Sequence, residues 1–233
     1  MNLKRKIQSK AFQQIYRELY MKKIVLLLLT LCIFNASAQD SNAKNYTAGR
    51  HYTVIDPAFE TDNNEQVIVY EFFGYMCPHC SSFQPYIKPW HEKLPKNVKL
   101  VRVPVVFQPG WDVLAKAYYT AETMGIIEKT HQPLFDAIHK QRKNFRTIES
   151  LASWFEDNFS VDKEAFLSTA NSFMIDSKVR QSNNMMRKMQ ITSTPTIIIN
   201  GKYKPNVKAL GSIPALLEMA TYLSNLEAKS MGL

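Results

Sequence analysis

Between Gln66 and Gly74 the chain runs Val67-Ile68-Val69-Tyr70-Glu71-Phe72-Phe73, apolar throughout except for one carboxylate. A run without polar alternation reads as a strand covered on both faces, so this chain must place a layer of structure on each side of a sheet. Gly74 ends the run, and a helix is expected from about Cys77 to Lys93. Val98 to Phe107 then reads as a second strand of the same sheet. Pro104 cannot donate to a ladder, which calls for an edge-facing position or a local break there. Strand, helix and strand at this spacing form a right-handed crossover with a parallel pair. Tyr52 to Ile55 is a shorter strand before it, and Asp62-Asn63-Asn64 a turn.

The pattern then changes to helices alone. Val113 to Met124, Pro133 to Gln141, Ile148 to Phe159, Lys163 to Ala170 and Phe173 to Met189 each carry apolar residues three or four apart, with Gly125, Asn144 and Ser160 as separators. Strand character returns at Thr196 to Ile199. Asn200-Gly201 is a strong hairpin turn into Lys202 to Lys204. Ser212 suits an N-cap and Pro214 a first turn, opening a helix through Ala215 to Glu227. The chain therefore opens and closes with sheet units and carries helices between them. Its 233 residues, 45% hydrophobic and 21% charged, are ample for one folded unit.

A formal charge of +9 raises the question of a nucleic-acid partner. Seven Lys and Arg residues and one acid lie in the first 38 positions, which leaves 22 basic against 19 acidic residues, or +3, for the rest. That is an ordinary surface and gives no case for binding nucleic acid. Lys22-Lys23, the apolar run Ile24 to Phe34 and Ala36-Ser37-Ala38 follow the order of a cleavable secretory signal, with cleavage expected after Ala38. The run is short for a bilayer-spanning helix. Leu31 before Cys32 argues against a lipid anchor. Residues 1–20 have no evident role, and Met21 begins a conventional signal by itself, so either Met1 or Met21 suits the start.

Once Cys32 leaves with the signal, two cysteines remain, three positions apart, in a compartment where disulfides persist. A structural staple removes loop entropy from the unfolded chain, and a loop this short has little to remove, so the pair is expected to do chemistry. Cys77-Pro78-His79-Cys80 stands where a strand hands over to a helix. The unpaired N–H groups and positive dipole end of a first helical turn favour an anion there, such as a Cys77 thiolate. Pro78 fits the first helical position because it lacks an N–H in any case. His79, if turned toward the sulfur, adds a donor or a charge. A lowered thiol pKa makes Cys77 a good leaving group and stabilises the reduced pair, which makes the oxidised pair an oxidant. The competing reading, half of a zinc site, requires two more ligands among histidines and carboxylates that show no motif spacing.

Glu71 is the lone charge of its strand, six positions before Cys77. If buried, it must stay protonated or find a partner, for which Arg102 on the neighbouring strand is a candidate, and it could then take the proton of Cys80. If it points to solvent at the strand end, it has no such role. Thr194-Pro195 stands directly before the strand at Thr196. Taken alone it reads as a trans proline starting an edge strand.

Three stretches together, Glu71-Phe72-Phe73-Gly74-Tyr75-Met76-Cys77-Pro78-His79-Cys80, Ser193-Thr194-Pro195-Thr196-Ile197-Ile198-Ile199-Asn200-Gly201-Lys202-Tyr203 and the helical block between them, resemble the DsbA family of thiol:disulfide interchange proteins. The resemblance covers nearly all of the chain after residue 38. It implies an α/β, thioredoxin-like fold with an inserted all-helical domain, divided as 1–38 extension and signal, 39–108 first thioredoxin-like part, 109–190 helical insertion and 191–233 second thioredoxin-like part. It also implies that Cys77 is the exposed cysteine that forms the mixed disulfide and Cys80 its buried partner. Glu71 becomes the buried acid beneath them, and Pro195 a cis proline facing the pair, with Thr194 offering backbone to a peptide substrate. Thr194 stands where the best-known members have valine, so oxidising strength and partner preference can differ here. Implied too are a periplasmic location, reduced secreted proteins as substrates, a membrane DsbB-type quinone-linked reoxidant, a monomer, and no cofactor or metal besides the Cys77–Cys80 disulfide. Phe73, Tyr75 and Met76 are candidates for a peptide-binding surface or for core. An isomerase of the same fold would want an N-terminal dimerisation domain, for which only residues 39–64 are available, so a disulfide oxidase is favoured. A peptide-binding chaperone with an idle site is the rival from another class.

Overall fold

Five strands form one sheet in the order β1-β5-β4-β2-β3, in a computed structural model that describes residues 46–233. The signal sequence expected before Ala38, with Cys32 and the choice between Met1 and Met21, lies outside the described residues. β2 (Val67–Phe73) is central and buried along its whole length, as its unbroken apolar run requires. It pairs in parallel with β3 (Val98–Pro104) through the crossover helix α1 (Pro78–His91). On its other side it pairs antiparallel with β4 (Thr196–Ile199), which turns at Asn200-Gly201 into β5 (Tyr203–Pro205). Both turn residues have positive φ, 50° and 65°, the conformation a two-residue hairpin demands. Gly201 has a second reason to lack a side chain: a Cβ there would stand 2.1 Å from the Phe59 carbonyl oxygen. β1 (Tyr52–Val54) closes the far edge against β5. Pro104 ends β3 on the opposite edge strand, satisfying both readings of that proline at once.

Strand parity sorts the core. Val67 and Val69 face α1 and the long C-terminal helix α8 (Ile213–Met231), packing with Phe83, Ile87, Leu216 and Leu223. Ile68, Tyr70 and Phe72 point to the other face, against Met185, Met189 and Ile191. Glu71 and Phe73 share the parity of Val67 and Val69, so the one charge of β2 is directed to the α1 side. Ser212 caps α8 by accepting from Ala215 N–H at 3.3 Å, and Pro214 sits in its first turn. A one-turn helix, α7 (Val207–Leu210), precedes it.

Between β3 and β4 lie α2 (Trp111–Thr123), α3 (Ile127–His139), α4 (Ile148–Phe159), α5 (Lys163–Ala170) and α6 (Phe173–Lys188). Thr147, Asp162 and Ser172 cap α4, α5 and α6 with side-chain oxygens, and Gly125 (φ +70°) and Ser160 (φ +54°) turn the chain left-handed after α2 and α4. The third helix departs from expectation. It begins at Ile127, six residues before the Pro133 that the sequence marks as its start. Pro133 leaves only the carbonyl of Lys129 without its helical N–H, a loss of one bond that the turn before the proline, carrying the buried Thr130 and His131, survives. Similarly, Pro85 and Pro89 lie on the exposed face of α1 without breaking it. The cores of Phe73 and Tyr75 on one side and Tyr118, Leu134, Phe135 and Leu151 on the other are continuous. Among the described residues, no helix is long and apolar enough to cross a membrane.

Candidate active site

Cys77 is the N-cap of α1, with extended backbone (φ −85°, ψ 115°), and its carbonyl accepts from Cys80 N–H at 3.1 Å and Ser81 N–H at 3.2 Å. Pro78 follows in the first turn. Both cysteines are free thiols. Cys77 retains 9% of its surface and Cys80 none, so Cys77 is the more open of the two. The Cys77 thiol is lowered to about 5, chiefly by the Cys80 thiol donating to it, against a burial effect that opposes ionisation. The Thr194 hydroxyl and the backbone N–H groups of Cys80 and His79 add to the lowering. The Cys80 thiol is pushed up by holding its proton toward Cys77 and by burial. His79 thus acts on the sulfur through its backbone N–H, while the residue itself is exposed.

Thr194 meets Cys77 in two ways. Its carbonyl accepts from the protonated thiol at 3.4 Å, and its hydroxyl serves the ionised sulfur instead. The Thr194–Pro195 bond is cis, as the resemblance implied and the sequence alone did not. Asp56–Pro57 is cis as well, with no signal in the sequence.

Glu71 is fully buried, which removes the solvent-facing reading. Parallel register sets Arg102 beside it, Nε to Oε2 at 3.3 Å. The two are close as charges, yet the Nε–H does not aim at that oxygen, and neither atom has an aligned hydrogen bond. Arg102 also reaches the exposed Glu128 at 3.3 Å. Burial raises the Glu71 carboxyl above its ordinary range, and Arg102 and Gln84 only partly oppose this. Gln84, which sequence reasoning missed, bridges the two halves of the site: its amide N–H donates to Glu71 Oε1 at 3.0 Å and to the Cys80 carbonyl at 3.4 Å. Its signal was available, since Gln84 follows Cys80 by one helical turn and so shares the buried face.

Phe73 and Tyr75 are core, at 0% and 2% exposure, and of the three surface candidates only Met76 (43%) is open to a partner. Gly74 is needed for space: a Cβ there would come within 2.3 Å of the Trp111 ring. Gly74→Ala is accordingly expected to cost about 1–3 kcal/mol through overpacking, measurable as a lower urea midpoint at unchanged slope. No cluster of three or more His, Cys, Asp or Glu side chains suited to a metal ion occurs among the described residues.

A dithiol at a helix N-terminus, with one reachable acidic sulfur and one buried sulfur, on a sheet of this topology, defines a thioredoxin-fold thiol:disulfide oxidoreductase. A family model described as Thioredoxin matches residues 62–217. The thiol:disulfide interchange protein DsbA of Pseudomonas aeruginosa is 37% identical over 205 residues, 87% of this chain and 95% of that protein, and its namesake from Pseudomonas syringae pv. tomato is 34% identical over 200 residues, 86% and 92%. The crystal structure of Pseudomonas aeruginosa DsbA superposes with a TM-score of 0.77, covering 82% of this chain and 99% of that one. The chain belongs to the DsbA family of thiol:disulfide interchange proteins.

Proposed function

We propose that this protein is a periplasmic oxidase that donates a Cys77–Cys80 disulfide to reduced, folding secreted proteins. The observation that carries this reading is the opposed pair of thiols, with Cys77 lowered to about 5 and Cys80 pushed up. A thiolate held this well stabilises the reduced pair, so the oxidised pair gives up its disulfide readily. In the first step a substrate thiolate attacks Cys77 Sγ, forming the mixed disulfide and breaking the bond to Cys80, which leaves as a thiolate and takes up a proton. Glu71, with its raised pKa, is the proposed source of that proton, and Gln84 holds its carboxyl beside the Cys80 backbone by donating to both. A second substrate thiolate then attacks the substrate sulfur and expels Cys77 as its stabilised thiolate. Two electrons pass from substrate to enzyme, and the substrate leaves with a new disulfide.

Pro195 and Thr194 are proposed to receive the extended substrate backbone beside Cys77, supported by the contact between Thr194 and the sulfur. His79 is proposed to donate its backbone N–H to the Cys77 anion, and Pro78, which lacks an N–H, to fill the first helical position without leaving a donor unpaired. The remaining parts of the reading rest on family membership and the sequence: export with cleavage after Ala38, a monomer, division into 39–108, 109–190 and 191–233, and reoxidation by a membrane DsbB-type partner coupled to quinone. The test is a redox titration with glutathione alongside thiolate absorbance. The absorbance is expected to titrate near pH 5. The potential should fall by about 59 mV per pH below that point, where two protons accompany two electrons, and by about 30 mV per pH above it, where one does. A potential close to that of thioredoxin, or a thiol that ionises like free cysteine, would refute the oxidase reading.

A further inference from the structure

Tyr75 lies between the strand and the redox motif, in a turn closed by Cys77 N–H donating to the Gly74 carbonyl at 3.0 Å. That turn carries Cys77 at one end and, at the other, the Gly74 N–H that reaches the Cys80 sulfur. Its geometry therefore bears on both thiols. Tyr75 is held at both ends by one helix of the inserted block. Its hydroxyl is 2.7 Å from His131 Nδ1, and its carbonyl is 2.7 Å from His139 Nε2. A carbonyl only accepts, so His139 Nε2 carries the proton of that contact. His131, Phe135 and His139 follow one another at four-residue intervals along one face of α3. The Phe135 ring packs on all three partners, at 4.8 Å from Tyr75, 5.2 Å from His131 and 6.2 Å from His139 between centroids.

This arrangement is not what stability alone would select. Burial keeps His131 neutral, and Arg102 adds to the effect. A neutral imidazole carries one proton, and His131 Nε2 is buried with no hydrogen-bond partner. If the Tyr75 hydroxyl donates to Nδ1, the imidazole N–H at Nε2 goes unpaired. If Nδ1 donates instead, the hydroxyl hydrogen does. An unpaired buried polar group lowers stability, and an apolar pair in the same place would carry no such penalty.

We infer that His131 and His139 are positioning residues for the redox pair, fixing through Tyr75 the turn from which Cys77 enters α1, and so coupling the inserted helices to the reactivity of the thiols. The inference rests on the exchange reaction proposed for Cys77. His139→Leu removes the donor to the Tyr75 carbonyl and is expected to raise the thiolate midpoint by about one pH unit and to shift the glutathione equilibrium about tenfold toward the oxidised form, equal to about 30 mV. His139→Gln, which keeps an N–H donor, should restore both. Tyr75→Phe retains the ring and the backbone carbonyl, loses the hydroxyl, and should move the midpoint in the same direction by a smaller amount. Leu134→Ala, in the same helix and buried, serves as the control: it lowers thermal stability and leaves the midpoint in place. If His139→Leu and Tyr75→Phe lose stability as Leu134→Ala does while keeping the wild-type midpoint, the two histidines are structural and the inference is overturned. A wild-type midpoint at the value of free cysteine overturns the exchange reading and the inference together, whereas a low wild-type midpoint that neither variant moves overturns the inference alone.

Discussion

Cys80→Ala is expected to abolish turnover of a dithiol peptide, by roughly a thousand-fold or more, because loss of one member of a covalent pair leaves only background reaction. The variant should nonetheless keep a reactive Cys77 that accumulates as mixed disulfides, since no inner thiol remains to release the adduct. The structure adds a second consequence. The Cys80 thiol is the largest single cause of the low Cys77 pKa, so its removal moves Cys77 up from about 5 toward the ordinary thiol range and reduces the thiolate fraction at mildly acid pH. Cys77→Ser gives the converse protein, in which the Cys77 contribution to the raised Cys80 pKa is gone but the remaining sulfur still has no exposed surface and burial still opposes its ionisation. It should resist alkylation at pH 7 under conditions that label Cys80→Ala rapidly. Alkylation rates of the two variants, read by mass spectrometry, check the assignment of roles. Equal labelling would erase the distinction between a reachable and a buried sulfur, and full activity in Cys77→Ser would point to a peptide-binding chaperone.

Arg102→Met is expected to cost about 3–5 kcal/mol at neutral pH, the range for removing one partner of a buried ion pair and leaving the other uncompensated. Glu71 would then keep Gln84 as its hydrogen-bond partner. The sign of the pH dependence follows from the raised carboxyl. A group whose folded pKa lies above its unfolded value favours the folded state while protonated, and that advantage disappears as pH rises through the folded pKa. Arg102 opposes this rise in the wild type, so its loss should raise the Glu71 pKa further and widen the window. Urea unfolding at pH 4.5 and 7.5 should therefore show a small deficit against wild type at the lower pH and a large one at the higher. Equal deficits at both would mean that packing of the arginine stem, not charge, sets the cost. The double variant Glu71→Leu with Arg102→Met, which leaves no buried charge, should recover much of the loss.

The strand pairing around the site was legible because its causes are local. An unbroken apolar run, a glycine, a Cys-Pro start and an Asn-Gly turn each act over a few residues, and they located β2, α1 and the β4–β5 hairpin with small errors at the ends. Arg102 was legible only as a candidate partner for Glu71 on the neighbouring strand, and the structure supplied the register that sets the two side by side. The start of α3 was not, because a proline is normally read as a boundary, and only packing of the preceding turn against the core kept the helix continuous through Pro133. That single error hid the shared face of His131 and His139.

Chain order and local chemistry determined by themselves that the protein has a sheet covered on both sides, a block of helices between its strands and a dithiol at a helix start. What the sequence left open, the tertiary structure decided: that Glu71 is buried rather than solvated, that Thr194, joined to Pro195 by a cis bond, meets Cys77 across more than a hundred residues, and that Gln84 joins the carboxyl to the backbone of the inner cysteine. The physical reason is that periodicity and turn chemistry report a residue's neighbours along the chain, whereas burial, partner and pKa depend on which distant segments the fold packs against it.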